Sequence, residues 1–163
     1  MNHRSVTLTP HEVKIAEWVG GQRHTWNTTA GRTGSPRSSS TSEQIHVMGF
    51  SAELAFCKYF NVWPDFTIGS HPTSDATRWG ATVDIKTRMT PYGDMLCLHR
   101  DKEMAANVYA LLLPDPYPTF KFCGFARAEE IFTDAHLTNL GHGPTYLLTE
   151  DELTLTQGAT KPR

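Results

Sequence analysis

The sequence predicts a mixed α/β fold of the α+β kind, with a mixed central β-sheet flanked by helices. Three observations carry this. The chain has 163 residues, the size of one domain with a sizeable core. Helix-capping chemistry is concentrated in the first sixty residues, and short β-like runs separated by turn residues fill most of the remainder. No internal repeat interrupts this order of helices first, strands after.

The first helix announces itself at Thr9-Pro10-His11-Glu12: a capping hydroxyl, proline at the first helical position, and glutamate three residues after the cap. It is expected to run to about Thr25 on Val13, Ile15, Ala16 and Val19, with Gly20-Gly21 as an earlier stop. Residues 27–42 are rich in Gly, Ser and Thr, hold Arg32 and Arg37, and offer almost no apolar surface to offset ordering entropy. They read as a mobile loop, either a linker or a basic flap that orders on phosphates. A second helix is expected over about 43–59, closed by Asn61 and Pro64. Strands are expected at 81–87, 95–99, 108–113 and 120–125, separated by Thr90-Pro91-Tyr92-Gly93-Asp94 and Pro114-Asp115-Pro116-Tyr117-Pro118. A short helix at 128–132 follows, then one more strand or helical turn at 146–155, and a frayed end from about 157.

Composition excludes little. The net charge of -2 carries no whole-molecule signature of nucleic-acid binding, although the first sixty residues lean basic and the last fifty acidic. Cys57, Cys97 and Cys123 are odd in number, far apart and set in apolar runs, so buried thiols in a reducing cytosol are expected. No leader pattern and no membrane-length apolar run is present, which points to a cytoplasmic protein without a membrane partner.

Four residues carry chemistry. Glu53 lies on the second helix with Gly49, Phe50, Phe56 and Cys57 three and four positions away, so its carboxylate needs a cation, a metal or a proton. In 81–87, period-two alternation sends Val83 and Ile85 to one face and Asp84 and Lys86 to the other. The acid there suits a hard divalent cation, and the lysine suits a phosphate or the attacking water. Read alone, such a D-x-K is a solvated strand face. Asp75 stands before the turn former Gly80, which lets Asp75 and Asp84 converge on adjacent antiparallel strands; alone, it reads as a turn residue.

In this order the four residues resemble the PD-(D/E)XK (restriction-endonuclease-like) nuclease superfamily. Gly49-Phe50-Ser51-Ala52-Glu53-Leu54-Ala55-Phe56 is similar to the G-x-x-[GA]-E-x-A-F run of small phage and bacterial members. The likeness covers roughly 44–132, and departs from the family in lacking a proline before Asp75. It implies a restriction-endonuclease-like α-β-β-β-α-β core and a DNA nuclease, an endonuclease or else an exonuclease. Its catalytic residues would be Glu53, Asp75, Asp84 and Lys86. Its Mg²⁺, or Mn²⁺ in substitution, would be held by Glu53, Asp75, Asp84 and the carbonyl of Ile85. Arg32, Arg37, Arg78, Thr87, Arg88, Arg100 and Lys102 are the expected nucleic-acid contacts, and Trp79 is either a stacking platform for a splayed base or a core residue. DNA is the implied partner, with a second copy or a partner protein beside it. The alternative is a nuclease-fold protein without activity that binds DNA or a protein; a third reading makes the acids a structural ion network.

Two weaker patterns are set aside. His99-Arg100-Asp101 resembles a kinase catalytic loop, but Asn107 falls one position late and no glycine-rich loop accompanies it. The stretch with His136, Gly141, His142 and Gly143 lacks metal-ligand spacing and reads as a loop.

Overall fold

The computed structural model describes residues 4–32, 40–69, 74–103, 106–141 and 143–155. Arg37, His142 and the expected frayed end lie outside the described residues. The chain opens with a short strand that the sequence reading missed, β1 (Ser5–Thr7), and enters helix α1 (Pro10–Thr29) through the expected capping box. There the Thr9 hydroxyl accepts from the Glu12 amide, and the Glu12 carboxylate accepts from the Thr9 amide. Helix α1 continues four residues past Thr25, so 27–29 belong to the helix and not to the loop. The hydroxyls of Thr25, Thr28 and Thr29 each donate to the carbonyl four residues back, which satisfies polar side chains within the helix.

Gly20 and Gly21 do not stop this helix. The buried stripe is Ala16, Val19, Gly20 and Arg23, and Gly20 is where α1 meets the second helix, α2 (Ser42–Phe60). A Cβ at Gly20 would stand 2.6 Å from Val47 Cα, a backbone atom that cannot swing aside. Gly20→Ala is therefore expected to destabilise the fold by about 1–3 kcal/mol despite alanine's better helix propensity. Gly49→Ala, with nothing within 4 Å of the added methyl, is expected to stabilise by about 0.5–1 kcal/mol. Thermal unfolding of the two variants checks the pair. Helix α2 starts at a second capping box (Thr41 with Gln44) and ends at Asn61 in the left-handed conformation, φ 52°, as the sequence led us to expect.

The remaining elements are β2 (Ala76–Arg78), β3 (Ala81–Thr87), β4 (Met95–Leu98), α3 (His99–Glu103), β5 (Val108–Pro114), β6 (Thr119–Arg127), α4 (Ala128–Ile131), β7 (Leu137–Asn139) and β8 (Pro144–Leu148), then a 3₁₀ turn at Glu150–Glu152. One five-stranded sheet runs β1-β6-β5-β3-β2, mixed because β3 and β5 are parallel while the other pairs are antiparallel. A three-stranded antiparallel sheet runs β4-β8-β7. The fold is thus mixed α/β. The strand expected to reach residue 99 ends at Leu98, because the Asp101 carboxylate takes the Leu98 amide at 2.6 Å and turns the chain into α3. Arg100 and Lys102 accordingly lie on a short helix and not at a strand end.

Strand β5 explains the layering. All seven of its residues are buried: Val108, Ala110 and Leu112 face the core under α1 and α2, while Tyr109, Leu111 and Leu113 face a second core with Met95, Cys97, Tyr146 and Leu148. A bulge opposite Leu111 and Leu112 lets Phe122 and Phe125 share the helix side, with Gly124 at φ 150° absorbing the extra residue. The three cysteines are buried thiols, as expected, and burial pushes each up to about 12. No described helix is long and apolar enough to cross a membrane.

Candidate functional site

The site forms at the free end of β2. Trp79 (φ 49°) and Gly80 (φ 76°) turn β2 back on β3, so Asp75 lies one residue before β2 and its amide donates to the Val83 carbonyl at 2.9 Å. Beyond that point, among the described residues, β3 has no strand partner on this side, and the Asp75 carboxylate accepts from the Ile85 amide at 2.6 Å. A strand residue points its amide and its carbonyl to the same edge, so the Ile85 carbonyl faces the same opening. The hairpin sets Asp75, just before β2 and not on it, beside β3 and near enough to Asp84 for Asp84 to raise its carboxyl.

Asp84 and Lys86 do share a face, and their side chains pair at 3.0 Å. Lys86 has a second anion that the sequence reading discarded with the kinase-like motif. Its Nζ lies 3.2 Å from Asp101 Oδ2, and the Tyr109 hydroxyl donates to the Asp101 carbonyl. Burial depresses the Lys86 ammonium, but Asp84 and Asp101 outweigh it and hold the group above the ordinary lysine range. Two carboxylates beside Lys86 thus favour its ammonium form.

Glu53 is buried on α2, and its cation comes from thirty residues upstream. Arg23, on the buried stripe of α1, donates from one terminal nitrogen to Glu53 Oε1 and Oε2 at 2.9 Å each. Its other nitrogens donate to the carbonyls of Thr67 (3.2 Å) and Asp65 (2.9 Å), and its guanidinium lies 4.7 Å from the Phe50 ring centre. One side chain thus ties α1, α2 and the segment after α2 together. The sequence carried a signal for it: positions 16, 19, 20 and 23 form one helical stripe, and an arginine there must meet a buried anion.

The carboxylates feel one another. Glu53 is held well above the ordinary range, by burial first, then by Asp75, with Asp84 adding to it and Arg23 opposing. Asp75 is raised to about 7 by burial and by Asp84, and Asp84 is raised chiefly by burial against the pull of Lys86. Acidic groups outnumber basic ones here, with Glu53, Asp75, Asp84 and Asp101 facing Arg23, Lys86 and the more distant Arg100, so these carboxyls compete for protons or a cation. Among the described residues, no three His, Cys, Asp or Glu side chains are arranged to hold a metal ion, since Glu53 is turned onto Arg23 and Asp84 onto Lys86.

The expected nucleic-acid contacts scatter. Arg78 is buried between the Phe60 ring (3.9 Å) and the Trp79 ring (3.2 Å); one terminal nitrogen has no hydrogen-bond partner among the described residues, and burial lowers the group to about 10. Trp79 is half exposed, so it is not a core residue, and one face of its ring is taken by Arg78. Arg88 folds over Gly93 to the Asp94 carbonyl, and the Thr87 hydroxyl donates to the Arg88 carbonyl. Arg32 lies on Trp26 and Lys102 over Tyr146, while Arg100 is exposed near Asp84. His136, expected in a loop, joins Thr133 to Glu152.

A groove of about 740 Å³ adjoins Asp75, lined by Trp63, Asp65, Phe66, Thr67 and Ser74 among others. The sequence reading assigned these residues no role. Comparison with protein-family models, curated proteins and solved structures finds no match for this chain.

Proposed function

We propose that the protein is a nuclease of the PD-(D/E)XK kind that hydrolyses phosphodiester bonds in DNA with Mg²⁺, or Mn²⁺ in its place. The observation that carries this is the meeting of three mutually repelling carboxylates with a lysine held protonated, beside the end of β2 where Asp75 takes the Ile85 amide and Lys86 pairs with Asp84. Carboxylate oxygens from Asp75 and Asp84 and the Ile85 carbonyl are the donors a hard divalent cation takes, and the surplus of acidic groups favours one. When bound, such an ion supplies charge neutralisation at the phosphate and acidification of the attacking water. The chain's own residues do the rest. The Ile85 amide fixes Asp75, Asp84 fixes Lys86, and Asp101 keeps Lys86 cationic and aimed, so that it orients the nucleophile or stabilises developing charge.

The test is cleavage of supercoiled plasmid and of labelled single-stranded and branched DNA with either metal. Wild type is expected to cut only with metal, and Asp84→Ala and Lys86→Ala to lower the rate by at least about a hundredfold with the fold intact. No cutting of any DNA or RNA under either metal removes the proposal. One observation favours the second reading, a nuclease-fold protein that binds DNA or a partner protein without cutting it: both oxygens of Glu53 are engaged by Arg23. On that reading DNA binding survives in a protein that never cuts.

A further inference from the structure

We infer that the groove beside Asp75 stacks unpaired nucleobases, so that the substrate is a single-stranded region of nucleic acid and not a continuous duplex. This rests on the nuclease reading and names the substrate class of the same site. Trp63 is 84 % exposed, an unusual setting for the largest apolar side chain, and it lines the groove with Phe66 as its one ring partner among the described residues. It is nonetheless built in place. Trp63 meets Phe66 edge-on at 6.2 Å, and Phe66 rests on the core ring of Phe50 at 5.8 Å.

The segment that carries both rings is pinned by Arg23 through the carbonyls of Asp65 and Thr67, and by the Asp65 carboxylate, which accepts from the Thr67 amide and hydroxyl. The guanidinium that holds Glu53 thus also sets the stacking surface, and Asp75 is a wall of the groove as well as a member of the carboxylate cluster. A phosphate brought to Asp75 and Asp84 by the proposed divalent cation, and not by the carboxylates themselves, would have its neighbouring nucleotide beside this groove, because Asp75 is shared by both.

The lining chemistry selects the base and not the backbone. None of the described lining residues is Lys or Arg and two are Asp, so phosphates are not drawn in, whereas a neutral π-face stacks on tryptophan whatever its sequence. A base in a duplex is already stacked and cannot reach Trp63 without leaving its helix. The volume is within the range of sites that take whole small molecules.

The experiment measures anisotropy of a labelled oligothymidine, of the same strand in a blunt duplex, and of an abasic strand, with Ca²⁺ replacing Mg²⁺ so that cutting does not intrude. The single strand is expected to bind more tightly than the duplex. Trp63→Ala should weaken it by about tenfold, Trp63→Phe should restore most of that, and the salt dependence should be unchanged because no phosphate contact is lost. The abasic strand should bind wild type no better than the normal strand binds Trp63→Ala. Equal binding by wild type and Trp63→Ala, or an abasic strand bound as tightly as one with bases, overturns the inference. Metal-dependent cutting alongside such a result leaves the nuclease standing without the stacking site; Trp63-dependent base binding without cutting leaves the stacking site and removes the nuclease.

Discussion

Replacing Arg23 with methionine is expected to cost about 3–5 kcal/mol of folding stability at pH 8, the penalty for leaving a buried carboxylate without its cation. Both side chains are about nine-tenths buried, so neither water nor salt can stand in for the partner. Glu53 would then keep only the repulsion of Asp75 and Asp84. The carbonyls of Asp65 and Thr67 lose a donor in the same step, which adds to the cost and loosens the segment bearing Trp63. Adding Glu53→Gln to the variant should recover most of the loss, because the neutral amide removes the unpaired charge; the double-mutant cycle then measures the coupling. The sign with pH follows from the raised Glu53 carboxyl. Once the arginine is gone, lowering the pH protonates Glu53 in the folded state, so the deficit should shrink as the solution is acidified. Urea unfolding at pH 8 and pH 5 checks this, and a loss below about 1 kcal/mol at pH 8 would show that the pair is not the strut between the helices.

What the sequence disclosed and what it hid follow the range of the interactions. The Thr9 capping box, the alternation of 81–87 and the closing Asn61 are local, and the structure keeps all three. Strand β1 has only three residues and pairs with Thr119–Lys121, far along the chain, so neither period nor neighbour reveals it. β7 is equally short, three residues with too little alternation to read, although its partner β8 follows directly with Asn139 opposite Pro144. Within the site, Asp84 and Lys86 were legible because a strand's alternation places them together. Arg23 was legible only as an arginine on a buried stripe, and its pairing with Glu53 was not; Asp101 and Trp63 were not legible, because each acts through a contact that exists only in the folded chain. Asp101 was further disguised by the kinase-like triplet around it, where its real work is to turn the chain at Leu98 and hold Lys86. Arg78 erred the other way: a cation beside the motif looked like a phosphate contact, but the side chain lies between two aromatic rings.

Asp75 gives the other large effect, and its sign is opposite to that of most carboxylates. Its carboxyl moves from an ordinary 3.8 to about 7 in the fold. Between those values the folded chain holds a proton that the unfolded chain has released, so stability falls as pH rises through the window, and the penalty is complete above about pH 7. It amounts to something on the order of 2–4 kcal/mol. Asp75→Asn keeps an oxygen to accept the Ile85 amide but cannot ionise. The variant should therefore be more stable than wild type at pH 8 and show a flatter profile from pH 4 to 7, some slope remaining from Glu53 and Asp84. A divalent cation reads the same charge from the other side. It competes with the proton for these carboxylates, so Mg²⁺ should raise the unfolding temperature of wild type at pH 8 far more than at pH 5, and should do little for Asp75→Asn. Thermal unfolding across pH with and without Mg²⁺ reads both. Stabilisation by Mg²⁺ at pH 8 that Asp75→Asn abolishes ties the surplus of acidic groups to metal binding. A wild-type profile that rises from pH 4 to 7, with no response to Mg²⁺ or Mn²⁺, would make Glu53, Asp75 and Asp84 a structural ion network built around Arg23 and Lys86.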